Sequence, residues 1–130
     1  MASGSLKIGL IDGNVALRDA VTKWILHAGI GELAGEAVSS IHEAIEMRGG
    51  AQPDVILLDV RTPSAFSKAD VGQLQRTYPE ARVILMSHYA FGSEDGSLPP
   101  GVDACLNKAF LIERLTPLLR SLFPDRYQTA

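Results

Sequence analysis

The chain holds 130 residues, with 12 Lys and Arg, 15 Asp and Glu, and a formal net charge of −3. It carries no basic stripe, which excludes a sequence-independent binder of nucleic-acid backbones. Hydrophobic residues make up 46%, no apolar run approaches the roughly 20 residues of a membrane span, and the single cysteine, Cys105, excludes an internal disulfide and any multi-cysteine metal site. The expectation is one soluble cytoplasmic domain with one core.

Residues 1–5 (MASGS) are small and polar and read as a cloning remnant or disordered N-terminus, not a secretory signal. Residues 6–12 (LKIGLID) form a short apolar strand ending in an acid. Leu17, Ala20, Val21, Trp24, Ile25 and Ala28 then recur at helical spacing, and Gly29 and Gly31 end that helix. Residues 32–38 (ELAGEAV) predict a second, weaker strand. Ser40 and Glu43 have capping-box spacing for a helix through Met47, closed by Gly49 and Gly50.

Residues 54–59 are the third strand, an unbroken apolar run ending in Asp59, with Pro63 fixing a loop beside it. Residues 71–78 predict a helix stopped before Pro79. Residues 82–87 (RVILMS) make a fourth strand ending in Ser87, and residues 102–106 a fifth ending near Lys108. Leu111, Leu115, Leu118, Leu119 and Leu122 mark a last helix, which Pro117 should kink or restart with Thr116 as cap. Residues 125–130 are expected to fray. Between the fourth and fifth strands, residues 89–101 contain two interior glycines and a Pro-Pro pair. Each interior glycine costs a helix roughly 1 kcal/mol relative to Ala, so a loop or single turn is expected there.

Apolar strands alternating with helices predict an α/β domain whose parallel sheet is covered on both faces, with right-handed crossovers. In such a sheet all strand ends of one sense share an edge, and ligands bind there. Asp12, Asp59, Ser87 and Lys108 therefore meet at one mouth. Each has a plainer role alone: helix cap, loop cap or solvated lysine. Together they suit phosphoryl transfer. A carboxylate can attack phosphorus, a hydroxyl can donate to a phosphoryl oxygen, an ammonium can balance charge, and a second carboxylate can help hold Mg²⁺.

The series resembles the receiver domain of bacterial two-component response regulators, the CheY-like phospho-acceptor module. The resemblance covers about residues 6–123, with residues 124–130 left as a tail. It is carried by Ile11-Asp12 with Arg18, residues 53–59 (PDVILLD), Pro63, residues 83–87 (VILMS), residues 101–104 (GVDA), and Lys108 with Phe110. Residues 32–37 (ELAGEA) are similar to the second strand of the subgroup bearing a LuxR-type DNA-binding domain. The resemblance implies a flavodoxin-like, doubly wound, five-stranded parallel sheet of order 2-1-3-4-5. It implies Asp59 as phosphorylation site, Ser87 as switch hydroxyl and Lys108 as paired lysine. Asp12, Asp59 and the Arg61 backbone carbonyl would hold Mg²⁺. The partner would be a sensor histidine kinase or phosphotransfer protein. A homodimer through the fourth-helix, fifth-strand and fifth-helix face is a further expectation, with no direct nucleic-acid or membrane contact.

The chain departs from the family pattern at several positions. Gly13 stands where a second acid normally follows Asp12, and Asn14 offers only a neutral oxygen, so metal affinity should fall. Arg61 is placed to pair with Asp59 or a phosphoryl group, or else is solvated. His88, after the switch serine, could shield the site, donate to phosphate or crowd it; a metal-ligand role is the least favoured. Cys105 occupies the position of a switch aromatic, and Ala109 replaces the proline that usually follows the lysine. Two functions follow: a phospho-accepting signalling domain that assists its own modification without being a turnover enzyme, or a degenerate receiver that binds a protein or ligand independently of phosphorylation. A small hydrolase or flavin binder on the same scaffold lacks a Gly-rich phosphate loop.

Overall fold

The computed structural model describes residues 5–46, 52–60, 68–87 and 101–127. Five strands, β1 (Lys7–Ile11), β2 (Glu32–Leu33), β3 (Val55–Asp59), β4 (Arg82–Ser87) and β5 (Ala104–Asn107), form one parallel sheet in the order β2-β1-β3-β4-β5. Helices α1 (Val15–Ala28), α2 (Ile41–Glu46), α3 (Lys68–Thr77) and α4 (Leu111–Leu122) cover it. The predicted architecture and strand order are both present.

Period-2 alternation divides the core into two layers. Ile8, Leu10, Val55, Leu57, Ile84, Met86 and Leu106 pack against Val21 and Ile25 of α1 and Leu111, Leu115 and Leu119 of α4. Ile11, Ile56, Leu58, Val83 and Leu85 face the opposite way, toward Val71 and Leu74 of α3 and the apolar side of α2. Burial on both sides explains why β3 and β4 read as continuous apolar runs.

Local signals fix most boundaries. Asn14 caps α1, its side-chain oxygen accepting from the Leu17 N–H at 3.0 Å, and Gly29 ends the helix with φ +68. The predicted second strand is shorter than expected. Gly35 adopts φ +80, which breaks the ladder after Leu33, and only an isolated bridge of Val38 to Ile11 resumes it. The capping box is displaced by one residue. Ser40 Oγ accepts from the Glu43 N–H at 3.2 Å, but the Glu43 carboxylate takes the Ser39 hydroxyl and N–H instead of returning to Ser40.

Pro117 does not restart α4 at Thr116: one helix runs from Leu111 to Leu122 with the proline inside it. An interior proline costs about 3 kcal/mol. Three buried leucines, at positions 111, 115 and 119, each return about 1.5–3 kcal/mol and lie on both sides of it. Pro117 itself is exposed, so the Glu113 carbonyl left without its intrahelical donor can meet water.

The expected fraying of residues 125–127 is also corrected. Pro124–Arg126 forms a single 3-10 turn folded back on the amino edge of the sheet. Arg126 grips Asp54 with both terminal nitrogens, at 3.2 and 3.1 Å, and Tyr127 donates its hydroxyl to the Ile30 carbonyl at 2.8 Å. Residues 89–100 of the segment predicted as a loop at 89–101, and the expected turn at Gly49 and Gly50, lie outside the described residues.

Candidate functional site

The carboxyl ends of β1, β3 and β5 converge as the parallel topology requires. Ile11 pairs in register with Leu58, and Asp59 with Met86, so Asp12 and Asp59 leave adjacent strands at neighbouring levels. Asp12 continues in extended form, its N–H donating to the Val38 carbonyl at 2.9 Å. Lys108 follows directly on β5.

The Lys108 ammonium bridges both carboxylates. It donates to Asp12 Oδ2 at 2.9 Å and pairs with Asp59 Oδ1. The lysine side chain is 3% exposed, that of Asp12 0% and that of Asp59 26%. The three groups are thus graded by access. Asp12 is sealed beneath the lysine, and Asp59 stands at the rim.

A backbone N–H and a guanidinium from the start of α1 also hold Asp12. The Asn14 N–H donates to Asp12 Oδ1 at 2.9 Å, and Arg18 Nη1 donates to the Asp12 carbonyl at 3.0 Å. Both Asp12 carboxylate oxygens are therefore engaged. A buried carboxylate is tolerated only when paired and hydrogen-bonded in this way. Sequence reasoning placed Asn14 as a weak oxygen donor to metal, whereas its side chain caps α1 and its N–H pins Asp12.

Asn107 was missed by sequence reasoning. Its side-chain oxygen accepts from the Ala109 N–H at 2.9 Å, capping the turn Lys108–Phe110 that starts beneath the lysine. A proline at 109 would lack that donor. No peptide bond among the described residues is cis. The available signal was an asparagine at a strand-to-helix junction, where cap residues are favoured.

Ser87 ends β4 fully buried and pairs in register with Asn107, at the same mouth. Strand alternation separates it from the other three. Asp12, Asp59 and Lys108 follow the phase of Leu10, Leu57 and Leu106, the α1/α4 layer, while Ser87 follows Val83 and Leu85, the α2/α3 layer. The structure therefore gathers the two acids and the lysine, and sets the hydroxyl beside them on the opposite phase. Cys105 lies half-buried in the α2/α3 layer, paired with Leu85, and burial pushes its thiol up. Arg61 and His88 lie outside the described residues.

Gly13, at the position where a second acid was expected after Asp12, is exposed and offers no side-chain oxygen. Asp12 presents no accessible carboxylate surface, and no cluster of three His, Cys, Asp or Glu forms among the described residues. Mg²⁺ is ordinarily held by one or two carboxylates, with waters completing an octahedron. Here Asp59 is the single carboxylate of the cup with accessible surface, and Lys108 already occupies one of its oxygens. The Arg61 carbonyl, expected as a further ligand, lies outside the described residues, and among the described residues the cup offers a cation one accessible carboxylate.

Compared with known proteins, the chain matches no family model. It is 29% identical over 120 residues to the response regulator MprA of Mycobacterium ulcerans, a match covering 91% of this chain and 50% of that protein. The chain thus spans about half the length of the curated relatives it matches. Among solved structures it is similar to a CheY-like response regulator receiver domain protein from Methanospirillum hungatei. That likeness has a TM-score of 0.72 and 21% identity, and covers 95% of this chain and 97% of that one. It is also similar to a protein named as pilus assembly-related from Burkholderia pseudomallei, with TM-score 0.73, 15% identity and coverage of 100% and 98%.

Proposed function

We propose that this chain, a CheY-like receiver domain in fold and similar in sequence to response regulators, accepts a phosphoryl group on Asp59 and signals by the change that follows. The observation that carries the reading is the Lys108 ammonium lying between Asp12 and Asp59, with Asp59 alone of the two acids open at the rim. That arrangement presents one reachable nucleophile, pre-oriented by a cation that can turn to the phosphoryl oxygens.

A histidine kinase or phosphotransfer protein would supply the phosphate. On phosphorylation the Asp59 carboxylate becomes an acyl phosphate, a mixed anhydride whose phosphoryl group carries up to two negative charges, so negative charge grows and moves outward from the cup. Ser87, now on the opposite strand phase, would swing toward that dianion. A hydrogen bond to a charged group is worth roughly 1.5–3 kcal/mol, enough to shift a population of conformers near the end of β4. The test is intact mass after incubation with phosphoramidate, with Asp59→Asn as control. A single phosphoryl adduct that disappears in Asp59→Asn is expected; an unmodified wild-type chain under every ionic condition would remove the reading.

Gly13 favours a second reading, a binding module that keeps the fold and dispenses with phosphorylation. It predicts no adduct, with partner binding unchanged in Asp59→Asn.

A further inference from the structure

We infer that this cup accepts phosphate without a divalent cation, the Lys108 ammonium serving as its resident counter-charge. The inference rests on the phospho-acceptor reading and concerns what neutralises charge at that site. Three observations carry it. Gly13, exposed beside Asp12, offers the mouth no side-chain oxygen. Asp12 is sealed at 0% exposure with Oδ1 bound to the Asn14 N–H and Oδ2 to Lys108. Lys108, 3% exposed, contacts Asp12 and Asp59 together.

Charge accounting points the same way. Two carboxylates against one ammonium leave the cup with one net negative charge. A divalent cation added beside the lysine would reverse that sign and set two cations against each other across one shared carboxylate. An ammonium that already touches the nucleophile needs only to turn from a carboxylate oxygen to a phosphoryl oxygen. In the step itself an Asp59 oxygen attacks the phosphorus of a phosphoramidate and a P–O bond forms. The P–N bond breaks, and its electron pair leaves with the amine, which takes a proton from solvent. The ammonium of Lys108 offsets charge on the transferring group and is not consumed.

Two measurements on the full chain test this. The first is Mg²⁺ titration by calorimetry of wild type, Asp59→Asn and Gly13→Asp. Wild type should show no saturable heat that Asp59→Asn removes. Gly13→Asp should acquire one, with a Kd at least about tenfold below the highest Mg²⁺ concentration at which wild type still shows none. The added Cβ would meet the Ser39 carbonyl at 3.8 Å, an ordinary contact, so this variant is expected to fold. The second is the rate of adduct formation with phosphoramidate in chelator and in Mg²⁺. The two rates should agree within about threefold for wild type, and Lys108→Gln should slow the chelator rate by about tenfold or more. Saturable wild-type Mg²⁺ binding that Asp59→Asn abolishes would overturn the inference, as would an adduct that forms only with Mg²⁺. Absence of adduct in both conditions would instead defeat the phospho-acceptor reading, while the calorimetry still decides whether the cup holds metal. If Lys108→Gln fails to fold, Gly13→Asp and the chelator comparison suffice.

Discussion

Strand β3 begins and ends beside a carboxylate of equal exposure, and the two carboxylates are bound to different extents. Asp54 precedes its first residue and Asp59 is its last; both side chains are 26% exposed. Asp54 is saturated. It accepts the Lys7 N–H at 2.8 Å and both terminal nitrogens of Arg126, so each oxygen is bound. Asp59 is held on one oxygen by Lys108, itself shared with Asp12. Exposure alone would not tell the two apart. Spare bonding capacity does: the saturated acid fastens the chain, and the half-engaged one is left able to react.

The largest expected effect separates the ends by chemistry. Asp59→Asn should abolish phosphoryl adduct by mass while changing stability by less than about 1 kcal/mol, because Lys108 keeps Asp12. Asp54→Asn should leave the adduct intact. An adduct surviving in Asp59→Asn would mean the reactive acid lies elsewhere.

A large effect on stability should arise at the lysine. Lys108→Met strands Asp12, which is wholly buried, and breaking such a pair by removing one partner typically costs about 3–5 kcal/mol. Urea denaturation measures it. A loss under about 1 kcal/mol would show that Asp12 is rescued by its other contacts.

At the amino end, Arg126→Ala should cost about 1 kcal/mol, since the pair is part-exposed and solvent screens it. The adduct yield should not change. A larger loss would show that the turn Pro124–Arg126 seals the α1/α4 layer as well as clasping Asp54.

The smallest effect is alkaline. Burial pushes the Cys105 thiol and the Tyr78 and Tyr127 phenols up. Each raised group favours its protonated form in the folded state. Its contribution is complete below the unfolded pKa and lost as pH rises through the folded one. Melting temperature should therefore hold through neutral pH and decline above about pH 8.5, where an unfolded thiol begins to ionise. Cys105→Ser should delay the onset; an unchanged onset would assign the decline to the tyrosines.

Much of the site was legible because each of its members ends an apolar run. The step from apolar to polar at Asp12, Asp59 and Ser87 marks a strand leaving the core, and parallel topology then requires a shared mouth. Lys108 was placed by the same rule after a weaker strand. What stayed hidden is the division among them. Ser87 differs in strand phase from its neighbours, and phase depends on register between strands. The sealing of Asp12 also depends on Asn14 and Lys108, which approach it from opposite ends of the chain.

Local chemistry written in the sequence determined the strands, the helical faces, the caps at Asn14 and Gly29, and the residue types gathered at the mouth. These rest on spacing of 2 or 3.6 residues and on backbone preferences, which act over a few positions. The tertiary structure alone decided that Pro117 stays inside a helix, that Arg126 folds back onto Asp54, and that one ammonium serves two acids. Those outcomes join groups far apart in the chain, 96 residues in the case of Lys108 and Asp12, and burial energy in the packed state outweighs the local preference.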